Sequence, residues 1–166
     1  MDMKQHLLTI GFLIISIVSA AQSEVENAAV MQPINLLFKG MKLGDSSIVH
    51  AGFTKTVSMA NIAIDKDGKP LIKYESSLDG FLKAVGTPHS EIWNEVIWDT
   101  KILIDGNMAQ VWAPYAFYVE KNFSHCGVDA FQLFRDTEGA WKIFHLADTR
   151  QKEGCKVPIK ISEQFK

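Results

Sequence analysis

Apolar residues between Glu24 and Lys42 recur at helical spacing, with Val30, Ile34, Leu37, Phe38 and Met41 on one face. The pattern predicts an amphipathic helix that Pro33 would kink or delay. Gly44 ends it, and Asp45 with Ser46 opens a short second helix carrying Ile48, Val49 and Phe53. The period then changes to two. Thr56 to Ile64 and Leu71 to Glu75 flank Lys66-Asp67-Gly68-Lys69, the signature of a hairpin with an Asp-Gly turn. Ser77 caps a third helix through Val85, with Leu78, Phe81, Leu82 and Val85 on one side and Gly86 and Pro88 as its stop.

The second half alternates almost throughout. Glu91–Ile104, Met108–Val119, Ser124–Phe134 and Ala140–Ala147 read as one antiparallel meander. Strands this long exceed the usual five or six residues, so they must twist and leave the sheet with a concave face. Three early helices followed by such a sheet predict an α+β fold, with the helices covering one face of a strongly curved antiparallel sheet of about six strands.

Residues 1–21 stand apart from this plan. Lys4 and His6 precede the apolar run Leu7–Val18, and Ser19-Ala20-Ala21 supply small residues for cleavage. That is the form of a secretory signal peptide, too short for the roughly 20 apolar residues of a spanning helix. The expectation is a cleaved leader over 1–21 and a single mature domain over 22–166, secreted or periplasmic, without a stable membrane anchor after cleavage.

Composition narrows the function classes. The chain has 166 residues, 47% of them apolar, and a formal net charge of −2. A disordered chain is excluded, and the charge balance argues against a nucleic-acid partner bound through phosphate neutralisation. Export would place Cys126 and Cys155 in an oxidising compartment, where a bridge would add about 3 kcal/mol in the chain-entropy model. Cys126 also lies in an apolar strand pattern that suits a buried free thiol, so both readings stand.

Catalytic signatures are scarce. The chain has no Gly-rich phosphate loop, His-Glu-x-x-His, Gly-x-Ser-x-Gly or Cys-x-x-Cys, so no cofactor is implied. His50, His89, His125 and His145 lack metal-ligand spacing. His125 and Cys126 are adjacent, but neighbours on a strand point to opposite faces and cannot form a dyad. Alternation puts His125, Gly127, Asp129, Phe131 and Leu133 together, and Tyr115 and Phe117 with Val111. A mid-strand Asp129 that is buried needs a partner or a raised pKa. Asp148 and Arg150 sit two residues apart as a local ion pair.

The order helix, Gly44-Asp45-Ser46, short helix, hairpin, helix and meander resembles the nuclear transport factor 2-like superfamily. The run His125-Cys126-Gly127-Val128-Asp129-Ala130-Phe131-Gln132-Leu133, with Gly139-Ala140-Trp141-Lys142-Ile143 and Asp148-Thr149-Arg150, is similar to its lumazine-binding branch. The resemblance implies a cone, a bent sheet wrapped around helices with a cavity inside, and frequent homodimers through the sheet. The carboxylate and oxyanion donor of a ketosteroid-isomerase-like member do not map residue by residue onto this chain.

Two functions follow. One is an exported binding protein whose lining, drawn from Trp98, Trp112, Tyr115, His125, Asp129 and Phe131, holds an unidentified flat heterocyclic or apolar molecule. The other is an isomerase, dehydratase or cyclase with His125 or Asp129 as general base and Tyr115 or a tryptophan N–H as donor to a developing oxyanion.

Overall fold

The computed structural model describes residues 3–166, with side chains from residue 23 onward. The leader expected over residues 1–21 lies outside the residues whose side chains are described. The elements are α1 (Met3–Leu43), α2 (Ser46–Ala51), β1 (Phe53–Ile64), β2 (Pro70–Glu75), α3 (Asp79–Gly86), β3 (Trp93–Ile97), β4 (Lys101–Asp105), β5 (Met108–Val119), β6 (Asn122–Arg135) and β7 (Trp141–Thr149). A short helix, α4 (Ile159–Ser162), and a 3-10 turn over Glu163–Phe165 follow.

Pro33 neither delays nor ends α1, which runs through it. Gly44 does end it: its φ of +64° is a left-handed turn that a side chain would strain, and Asp45 N–H then donates back to the Gly40 carbonyl at 2.9 Å. Asp45 caps α2, its Oδ1 accepting from the amides of Ser47 at 2.9 Å and Ile48 at 3.2 Å.

The α+β architecture holds, with two corrections to the sheet. It has seven strands, in the order β2-β1-β7-β6-β5-β3, with β4 also paired to β5. The extra strand arises because the single span read over Glu91–Ile104 breaks between Ile97 and Lys101, where Asp99 takes a φ of +45°. Both halves pair with β5, and Trp98 N–H donates to the Pro114 carbonyl at 3.2 Å across the break. The sheet is also mixed: β1 lies parallel to β7, because successive hairpins leave the edge of β7 free for the strand arriving from α2. Register shifts between β5 and β6 at Phe117/Tyr118 and between β6 and β7 at Gln132/Leu133 bend the sheet.

The expected stripe on α1 fills the concave side. Val30, Ile34, Leu37 and Met41 are buried against Val111, Phe131, Leu133 and Ile143, and Phe38 meets Phe131 edge to face at 6.4 Å. An ion pair from Arg135 to Glu26 ties the far end of β6 to α1, with the guanidinium also lying 4.6 Å above the Trp141 ring. Along α1 the trough is therefore packed rather than hollow. Its polar groups collect beyond Phe131.

The segment after β7 is stapled back onto the sheet. Cys126 and Cys155 are joined by a disulfide with Cα atoms 6.0 Å apart, and Phe165 stacks on Tyr118 at 3.9 Å. Among the described residues no helix is long and apolar enough to cross a membrane.

Candidate functional site

Strand register assembles one polar row on the inner face. Ala113 of β5 faces Asp129 of β6, Asp129 faces Asp148 of β7, and Asp148 faces Asn61 of β1. The next positions bring Tyr115 opposite Gly127, and Glu95 of β3 beside Phe117 and His125. Paired residues on neighbouring strands share a face, so these side chains converge.

Asp148 is well satisfied. Asn61 Nδ2 donates to its Oδ1 at 2.9 Å, and Arg150 Nη2 donates to its Oδ2 at 3.1 Å. The Tyr115 hydroxyl donates to the Thr149 carbonyl at 3.0 Å and lies 3.4 Å from Asp148 Oδ2. Asp129 differs from its neighbour. It is 3% exposed, its Oδ2 has no hydrogen-bond partner among the described residues, and after burial the neighbouring Glu95 carboxyl acts on it most strongly.

Two neighbouring carboxyl groups, one buried and one half-buried, resist ionising together. Burial, then the nearby Glu95 charge, holds Asp129 well above the ordinary carboxyl range. Burial also pushes Glu95 up to about 7, opposed by its hydrogen bond to Asp129. Tyr115 is raised by burial and by the charges of Asp148, Asp129 and Glu95, so its hydroxyl keeps its proton. His125 is half-buried, edge to face with Tyr115 at 5.7 Å, and its Nδ1 lies 3.0 Å from Ser124 Oγ. Burial and then the Arg150 charge press it down to about 4, which makes it a neutral ring at pH 7. Near neutral pH the row thus presents an ionising carboxyl, a second one biased toward its protonated form, a phenol and a neutral imidazole. Proton transfer to and from a small molecule is within its means. Among the described residues no cluster of His, Cys, Asp or Glu could hold a metal ion.

Of the residues singled out from sequence, Tyr115, His125 and Asp129 come together here. Phe131 does not line the site; it is fully buried against α1. Trp98 shares a cleft of about 440 Å³ with Tyr115, Gly127 and Thr149, which Pro114, Cys126 and Lys156 also line, so it joins the site at Tyr115. Trp112 lies on the outer face of the sheet, 46% exposed. Glu95 went unread as a candidate, although a signal existed: alternation places it with Trp93 and Ile97 on an apolar face, where a carboxyl needs a reason.

No protein-family model and no curated protein matches the chain. Solved structures do. One of unknown function from Shewanella baltica OS155, described as nuclear transport factor 2-like, superimposes with a TM-score of 0.55 at 18% identity, over 77% of this chain and 95% of that one. This is the nuclear transport factor 2-like fold. A candidate scytalone dehydratase from Novosphingobium aromaticivorans DSM 12444 shares it at a TM-score of 0.61 and 11% identity, over 80% of this chain and 89% of the other. So does a candidate ketosteroid isomerase from Shewanella frigidimarina NCIMB 400, at 0.53 and 18% identity, over 72% and 94%. The nuclear transport factor 2-like fold is thus common to proteins named as enzymes and to proteins of unknown function, so the fold by itself assigns no activity.

Proposed function

We propose that the chain is an exported acid–base enzyme of the isomerase or dehydratase type, acting on a small carbonyl or hydroxy-carbonyl compound at the Glu95–Asp129–Tyr115 row. The observation that carries this reading is Asp129, buried with an unpartnered oxygen beside a second carboxyl, that of Glu95. Such a pair costs stability, since an apolar or amide substitute would pack without it, and costs of that kind collect at working sites. Glu95, poised at about 7, is the base that removes a proton from carbon. Asp129, protonated, donates to the substrate oxygen as negative charge builds there, and Glu95 returns its proton to carbon or to a departing hydroxyl. His125, neutral and packed on Tyr115, shapes the wall rather than serving as base. The disulfide supports export, because such bonds persist in oxidising compartments.

The test is a panel of cyclic ketones, enones and β-hydroxy ketones incubated in D₂O and followed by NMR. Deuterium incorporation or water loss, cut at least about 100-fold in Asp129→Asn and Glu95→Gln, is the expected outcome. Binding with no exchange by any member would instead favour a second reading, a binding module. The Trp98 cleft is what speaks for that alternative: the rings of Trp98 and Tyr115 and a lysine, without an acidic residue in the lining, suit a flat ligand.

We infer further that the protein works as a homodimer through the outer sheet face. Ile62, Ile72, Tyr74, Leu103 and Trp112 are all exposed there, an apolar surface that a second copy would cover.

A further inference from the structure

Three consecutive residues of β6 grip the chain as it leaves β7. Cys126 exchanges two backbone hydrogen bonds with Gln151, each 2.9 Å, and is bonded through sulfur to Cys155. At Gly127 the Thr149 carbonyl lies so close that a Cβ would stand 1.8 Å from its oxygen. Val128 N–H donates to Thr149 Oγ1 at 2.9 Å. The strap held in this way, residues 149–155, carries both the carbonyl that orients Tyr115 and the guanidinium that faces the carboxyl row.

We propose that the Cys126–Cys155 bond is a positioning device for the carboxyl row, keeping Arg150 in place as its counter-charge. This rests on reading that row as the working site. The groups facing it are Glu95 from β3, Tyr115 from β5, His125 and Asp129 from β6, Asp148 from β7, and Arg150 and Lys152 from the strap. Arg150 is the one cation that favours ionisation of both Glu95 and Asp129. Its side chain is half exposed and is held by Asp148 alone among acidic side chains, so it stays where its backbone is kept. The Ile62 carbonyl accepts from Arg150 N–H at 3.1 Å on one side of the strap. On the other side the grip is the Cys126–Gln151 pair, and from Lys152 to Val157 the disulfide is, among the described residues, the one covalent or hydrogen-bonded link back to β6. Without the bond, that flank opens, Arg150 spends time away from Asp148, and Glu95 and Asp129 hold their protons more tightly.

The experiment follows the carboxyl carbons of Glu95 and Asp129 by NMR through a pH titration, with no substrate present. The proteins compared are the wild type, Cys126→Val/Cys155→Ser, in which valine fills the buried position, and Arg150→Gln with the bond intact. Wild-type protein reduced with a trialkylphosphine stands in for the double variant if that variant does not fold. The Glu95 midpoint is expected to rise by half a pH unit or more, about threefold in proton affinity, in the bond-free protein and in Arg150→Gln alike. A bond-free protein that melts earlier yet titrates like the wild type would overturn the proposal, since the bond would then be a staple only. Unmoved midpoints in Arg150→Gln would overturn it too, because Arg150 would not be the counter-charge. Failure to find any substrate leaves this titration unaffected, so the two ideas fail separately.

Discussion

The carbonyl of Thr149 occupies the space where Gly127 would carry a side chain, and from there it accepts the Tyr115 hydroxyl proton at 3.0 Å. A methyl group at residue 127 would also come within 2.9 Å of the Tyr115 ring. Gly127→Ala must therefore push the strap off β6. We expect a loss of about 3 kcal/mol in urea denaturation, with the phenol freed from its acceptor.

Asp129→Asn is expected to behave in the opposite sense. An amide donates to Glu95 without first having to take up a proton on folding, so the melting temperature at pH 7 is expected to rise, equivalent to about 1 kcal/mol. The same variant loses catalysis. An Asp129→Asn protein less stable than the wild type would mean that the carboxyl pair is structural.

Stability against pH separates two groups with opposite slopes. Glu95 is raised from its ordinary 4.5 to about 7, so the folded protein binds more protons than the unfolded chain between those values and stability falls as pH climbs through them. His125 is lowered from 6.5 to about 4, so there the unfolded chain binds more and stability rises over that window. Each contribution is at most about 3 kcal/mol. Between pH 4.5 and 6.5 they oppose each other. Glu95→Gln should leave stability climbing more steeply with pH there, and His125→Asn should leave it falling; guanidinium melts at intervals of half a pH unit read both.

Trp112→Glu tests the outer face. A charge at the centre of a covered apolar surface breaks the association, and one on a free surface does nothing. Light scattering is expected to show a dimer for the wild type and a monomer for this variant, with the fold unchanged by circular dichroism.

Local pattern made much of the fold legible. Val30, Ile34, Leu37 and Met41 were spaced for burial and are buried, and the Asp-Gly turn forms the β1–β2 hairpin. The break at Asp99 left no turn signature, because Trp-Asp-Thr lacks the glycine or proline that usually marks one. The parallel pairing of β1 with β7 joins residues almost ninety positions apart, as Ser58 with His145, and no window of sequence spans that. The site was half legible. Parity placed His125 and Asp129 on the face that proves to be inner, yet Glu95 was passed over on the same reasoning. Trp112 failed for another reason: ring density says that a surface will be covered, but not whether by the chain's own interior or by something outside it.

The clasp between Glu26 and Arg135 bears on what would become of α1 if the expected leader were trimmed after Ala21. Cleavage would create a fresh helix terminus with unbonded amides, and Glu26 would then lie little more than a turn inside it. A carboxylate there sits at the positive pole of the helix, and its tether to the sheet resists unravelling. Amides just past Glu26 should then exchange slowly with solvent although they follow a newly cut end, and the rod's inner half would stay seated.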